Sequence, residues 1–171
     1  MDSYSEQLVQ KYPTSKDTLK KVLIYVGAGV LAIVFLLLGF MVYTFMPICI
    51  LLVMGIVYGA YYLGKRQYIE YEYLITNGEI DIDKIIGKDK RVRLITVKAS
   101  SFTAFGELTD DVKDDESLTV VLASDNIGNA DWYADFETEQ YGQTRLIFTP
   151  NQAFIESIRP FLNQKLRLKK H

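Results

Sequence analysis

The run VLIYVGAGVLAIVFLLLGFMVYTFMPICILLVMGIVYGAYYL, from Val22 to Leu63, contains no Asp, Glu, Lys, Arg or His. How it is read decides the architecture. As one helix it would reach roughly 63 Å at about 1.5 Å per residue, about twice the hydrocarbon thickness of a bilayer. Tyr43-Thr44-Phe45-Met46-Pro47 supplies a break near its middle, because Pro47 lacks an N–H and suits the first turn of a helix better than an interior. The run therefore reads as two spans, 22–42 and 47–64, joined by a very short turn. A cleaved signal peptide fits poorly: the first apolar stretch is too long, no small-x-small cleavage site precedes charged sequence, and a second apolar run follows at once.

The flanks give an orientation. Lys11, Lys16, Lys20 and Lys21 precede the first span, Lys65 and Arg66 close the second, and the turn carries no charge. The positive-inside rule then places both termini in the cytoplasm of a multi-pass plasma-membrane protein. Gly55 and Gly59 form a GxxxG motif, and Gly27, Ala28, Gly29 and Ala32 supply small residues in the first span. Small residues let helix backbones approach closely in lipid. They are expected to seat the two spans against each other, with a homodimer contact as the alternative. No ionisable side chain lies at depth, which disfavours a channel, transporter or membrane-embedded enzyme.

Outside the run the chain is ordinary. It has 171 residues and a net charge of −2, and the 49% apolar fraction is concentrated in the spans, so neither a wholly soluble globule nor a disordered chain fits. One Cys (Cys49) and one His (His171) exclude disulfide frameworks, Cys/His metal sites and His-based triads. No metal and no cofactor is expected. Residues 1–21 are polar and read as a cytoplasmic leader or tether. A short helix around Ser5 to Lys11 ends before Pro13, and Thr14 or Ser15 caps the helix that continues into the first span.

Residues 67–171 read as a β domain with one helix. Ile69, Tyr71, Tyr73 and Ile75 alternate with Glu70, Glu72, Leu74 and Thr76, and Asn77-Gly78 is a strong hairpin signal. Ile80 and Ile82 continue the return strand. Val92, Leu94 and Thr96 follow the turn at Gly87 to Lys90, and Ser100 to Gly106 reads as an irregular link. Further strands fit 118–124, 131–138 and 144–149. Six or seven short strands at hairpin spacing imply a sandwich or partly open barrel. Thr149 as N-cap and Pro150 open a C-terminal helix whose apolar face is Ala153, Phe154, Ile158, Phe161 and Leu162, loosened at Pro160.

Two spans leading directly into Ile69-Glu70-Tyr71-Glu72-Tyr73-Leu74-Ile75-Thr76-Asn77-Gly78-Glu79-Ile80, and a strand ending Leu146-Ile147-Phe148-Thr149-Pro150-Asn151 before a final helix, resemble a bacterial family of small two-span membrane proteins with a pleckstrin-homology-like cytoplasmic domain. The resemblance covers about residues 15 to 165. It implies a seven-strand barrel capped by a C-terminal helix, used for binding or assembly. The expected fold is thus a membrane α-helical hairpin plus a mainly antiparallel pleckstrin-homology-like β domain. The first hairpin turn, Thr76 to Glu79, lacks a phosphoinositide-type basic signature, so headgroup recognition is not carried over.

Candidate sites are few. Lys84, Lys88, Lys90, Arg91 and Arg93 surround the second hairpin, and Arg159, Lys165, Arg167, Lys169 and Lys170 make the tail basic. Lys88, Lys90, Arg91, Arg93, Arg167, Lys169 and Lys170 are candidate contacts to an anionic leaflet; a solvated strand edge and tail explain the same charges. Nucleic acid is disfavoured, because 65–171 holds 15 basic against 18 acidic residues. The acidic loop Asp110 to Glu116 and the stretch Asp125 to Asp131 lack EF-hand spacing and read as solvated turns. With no activated nucleophile or phosphate-cradling loop, the expectation is a non-enzymatic binding or assembly module whose partners are the bilayer and another protein. An anionic-lipid sensor is the alternative.

Overall fold

A computed structural model describes residues 4–109, 111–112, 117–128, 131–139 and 141–167. The chain divides into a helical unit, 13–68, and a β unit, 1–12 with 69–171.

The helical unit is the expected hairpin. Helix α1 spans Ser15–Met41 and helix α2 spans Met46–Lys65, with a 3-10 turn at Tyr43–Phe45 between them and Pro47 in the first turn of α2. Thr14 caps α1, and its backbone N–H donates to the Asp17 carboxylate at 3.2 Å. Only 6% of the apolar window of the first helix and 11% of that of the second is buried by the protein itself. By length and composition both are candidate membrane spans, and unlike the core helix of a soluble protein they are mostly left uncovered by the chain itself.

The helices meet along small residues, but not along the GxxxG motif. A Cβ placed on Gly39 would stand 3.1 Å from the Cβ of Cys49, and one on Gly64 would collide with the Tyr25 ring. Cys49, Ala60 and Gly64, which are buried, lie 11 and 4 residues apart, about three turns and one turn, and so share a face of α2. Gly55 and Gly59 fall off that face, and nothing lies within 4 Å of a Cβ built on either. The expectation that they seat the spans within one chain is therefore corrected.

The β unit holds two four-stranded sheets. The first has the order β1-β2-β3-β4: Tyr4–Gln10, Ile69–Thr76, Glu79–Ile86 and Lys90–Lys98, all antiparallel. The second has the order β5-β7-β8-β6: Ala104–Glu107, Trp132–Thr138, Gly142–Phe148 and Thr119–Ala123. Its β6–β8 pair is parallel and the others antiparallel. Asn77 and Gly78 take φ of 50° and 84°, as a two-residue hairpin turn requires. Tyr73, Ile75, Ile80 and Ile82 from the first sheet and Phe136, Leu146 and Phe148 from the second fill one core with Phe102. Helix α3, Gln152–Ile158, buries Phe154, Ile155 and Ile158 in the same core. A 3-10 turn at Arg159–Phe161 and a last helical turn, α4, Gln164–Arg167, follow.

Three sequence expectations change. Residues 4–10 form strand β1 rather than a short helix, so the amino-terminal segment is not a separate leader: its first part belongs to the β unit. Alternate side chains decide this, since Val9 is buried in the core while Leu8 and Gln10 face solvent. The link after Ser100 contains β5, and the described strands number eight rather than six or seven. Finally, α3 begins two residues later than read: Asn151 is the N-cap, its side chain accepting from the Phe154 N–H at 2.8 Å. Thr149 is instead held by the core, where its Oγ1 donates to Asp131 at 2.6 Å and accepts from the Asp125 N–H at 3.0 Å.

Candidate functional site

On the outer face of the first sheet, carboxylates from β2 and β3 meet arginines from β4. Arg91 donates to Glu72 at 2.8 Å, and Arg93 bonds Asp81 at 2.6 Å and also Asp83. The β-bulge between Ile82 and Asp83 offsets the register here, so that Arg93 lies opposite Asp83. The hydrogen bond to Asp83 holds the Arg93 guanidinium above its ordinary range. Arg93 also donates to the Thr96 hydroxyl at 3.0 Å. The basic hairpin is thus not a uniform cationic patch. Its two arginines are engaged with carboxylates, while Lys90 is exposed and Lys88 lies in the turn with φ of 66°. Arg167 is exposed at the end of α4, and Lys169 and Lys170 lie outside the described residues.

A second ion pair stiffens the other sheet. Arg145 and Asp135, direct cross-strand partners, make two bonds of 2.7 Å, and the guanidinium lies 5.1 Å from the centroid of the Tyr133 ring. Beneath it the Tyr73 hydroxyl donates to the Ala123 carbonyl and accepts from the Thr149 N–H at 3.2 Å. Burial pushes the Tyr73 hydroxyl above its ordinary range, so it stays protonated and keeps donating.

A cleft runs beside β4. Among the described residues, β4 pairs with β3 on one side and with no strand on the other. The cleft, of about 650 Å³, is lined by Arg93 to Lys98, Ser101, the stretch 137–139 and Tyr141. Backbone direction alternates along an antiparallel ladder, and the Asn77-Gly78 hairpin fixes its phase. Thr76 and Glu79 exchange bonds beside the turn, so Ile80 and Ile82 face β4 and engage Val97 and Ile95. The N–H and C=O of Thr96 therefore point into the cleft, and the Lys98 carbonyl accepts from Ser101 Oγ at 2.7 Å. Strand order is not written in local periodicity, so sequence reasoning missed this cleft. The signal was present in Lys90, Arg91, Arg93 and Lys98, the charge pattern of an edge strand.

The loop Asp125 to Gly128 spends its oxygen ligands on itself and its neighbours: Asp125 Oδ1 accepts from the Ile127 N–H at 2.8 Å. Cys49 is a buried packing residue of α2.

The sequence profile described as Bacterial PH-like domain (DUF6106) matches residues 1–168. The chain belongs to that family. No curated protein and no solved structure matches it.

Proposed function

We propose that this bacterial PH-like chain is a non-enzymatic binding or assembly module, anchored in the plasma membrane by its helical hairpin. Its β unit lies on the cytoplasmic side and takes an extended segment of a protein partner along β4. The open edge of β4, with the Thr96 amide and carbonyl turned into the cleft, carries this reading. An extended peptide gains main-chain hydrogen bonds there, and side-chain pockets beside the strand supply selectivity. The lysines flanking the spans support the cytoplasmic side. The pairing of β1 with β2 supports both flanks lying on one side of the membrane, because those strands lie on opposite sides of the hairpin in sequence and share one sheet.

The engagement of Arg91 and Arg93 with carboxylates weighs against a lipid sensor built on that hairpin. The test is affinity purification of the full chain from native membranes after cross-linking. Thr96→Pro deletes the outward N–H and leaves the backbone bonds to β3 in place, at a position where edge strands accept proline, but it also removes the hydroxyl that donates to Asp81 and accepts from Arg93. Thr96→Val keeps the N–H and removes only the hydroxyl. A partner recovered with the wild type and Thr96→Val, but lost with Thr96→Pro, supports the reading. Equal recovery with all three overturns it.

A further inference from the structure

We propose that the turn Asp125–Gly128 is a third membrane contact, carrying the Ile127 side chain into the headgroup layer and fixing how the β unit stands on the bilayer. Tyr12 lies three residues before α1 and Ile69 four residues after α2, so their tethers extend at most about 11 Å and 14 Å. The two tethers start side by side, the Lys11 N–H donating to the Ile69 carbonyl at 3.0 Å, so the chain leaves and re-enters the β unit at one place. The second sheet is attached at the same place: the Tyr12 N–H donates to the Asp125 carbonyl at 2.8 Å. Ile127 is only two residues further on.

Ile127 is 50% exposed and Tyr12 53% exposed. Asp125 closes the turn beneath Ile127, and Asn126 and Gly128 adopt φ of 72° and 81°, so the geometry of the turn is set from within and holds the apolar side chain outward. An exposed isoleucine at the end of a domain where two spans enter and leave meets the interfacial layer, which is about 5–7 Å thick on each side of the hydrocarbon. The bilayer is the occupant because the two spans already place it within reach of this end. The opposite end, with the Asn77-Gly78 turn and Tyr141, is a strand length away: Thr144 pairs with Thr119 there, while Phe148 pairs with Ala123 near the turn.

The experiment uses the full chain with Cys49→Ala in vesicles of phosphatidylcholine and phosphatidylglycerol. Single nitroxide labels are placed at Ile127→Cys, at Tyr141→Cys as the far-end reference and at Leu51→Cys within α2, with folding checked by circular dichroism. The reading is the ratio of collision with molecular oxygen to collision with a water-soluble nickel chelate. The expected result is a ratio at 127 several-fold above that at 141 and below that at 51. A ratio at 127 equal to that at 141 overturns the proposal, as does a label at 127 shielded from both reagents, the mark of a protein partner. A low ratio at 51 as well overturns the membrane reading on which the proposal rests, which separates the two failures.

Discussion

The Gln7 side chain grips the chain just before α3 as a backbone would: the Asn151 N–H donates to Gln7 Oε1 at 2.7 Å, while Gln7 Nε2 donates to the Thr149 carbonyl at 3.0 Å. The amide substitutes for a strand where the second sheet has none to offer. It joins residues 144 positions apart and makes β1 an interior fastening rather than a tail.

Gln7→Ala should destabilise the β unit by about 1 kcal/mol, because it leaves the part-buried Thr149 carbonyl without its donor, while the exposed Asn151 N–H turns to water. Thermal unfolding of the full chain in detergent measures this. Asn151→Ala should cost about 1 kcal/mol through the lost cap. A Gln7→Ala chain as stable as the wild type would show that the amide adds nothing to the pairing of β1 with β2.

In the hairpin, Gly39→Val and Gly64→Val should loosen the α1–α2 pairing, since a Cβ at either meets Cys49 or the Tyr25 ring. Gly55→Val and Gly59→Val should leave it intact. The yield of a cystine engineered between the helix ends compares the four directly; equal loss at all four would place the seam elsewhere.

Stability should fall above pH 10. Burial raises the hydroxyl pKa of Tyr71 and Tyr73 above the ordinary 10.0. Below pH 10 both are protonated, folded or unfolded, and their contribution is whole. Above it the unfolded chain loses those protons first, so stability declines by up to about 1.4 kcal/mol per pH unit for each tyrosine. Tyr71→Phe should reduce that slope while changing stability little at pH 7, as denaturant titrations at pH 7, 10 and 11 would show.

Arg145→Ala should cost about 2–3 kcal/mol, since side chains of the Arg145–Asp135 pair are only 11% and 16% exposed and Asp135 would lose a bidentate partner. Arg93→Ala should cost a comparable amount, about 2 kcal/mol: half of the Arg93 side chain is already in water, but the Asp83 carboxylate it leaves behind is only 8% exposed. Chemical denaturation of the two variants measures both; a loss below about 0.5 kcal/mol for either would contradict the burial reasoning.

Much of this fold was legible locally. The uncharged run and Pro47 located both helices, and Asn77-Gly78 with its alternating flanks located β2 and β3, because each signal depends on neighbours in sequence. Strand β1 was not legible in the same way. Its alternation is mostly polar, with Val9 as its one buried apolar side chain, and its partner β2 begins some sixty residues later. Gly55 and Gly59 misled because a GxxxG motif reports small residues without reporting which face they occupy. Thr149 and Pro150 look like a helix start, yet Thr149 bonds Asp131 and Asp125, and tertiary polar contacts delayed the cap to Asn151. The β4 cleft was invisible for a related reason: which strand ends a sheet is settled by pairing, not by periodicity.

Because β1 leaves the ribosome before the first span and β2 only after the second, the sheet they share cannot close during most of synthesis. If either span went astray, the two strands would be separated by the bilayer and Gln7 could never reach Asn151. A completed β unit therefore reports that the two flanks of the hairpin share one compartment, and a copy in which a single span failed to cross would carry β1 and β2 unpaired.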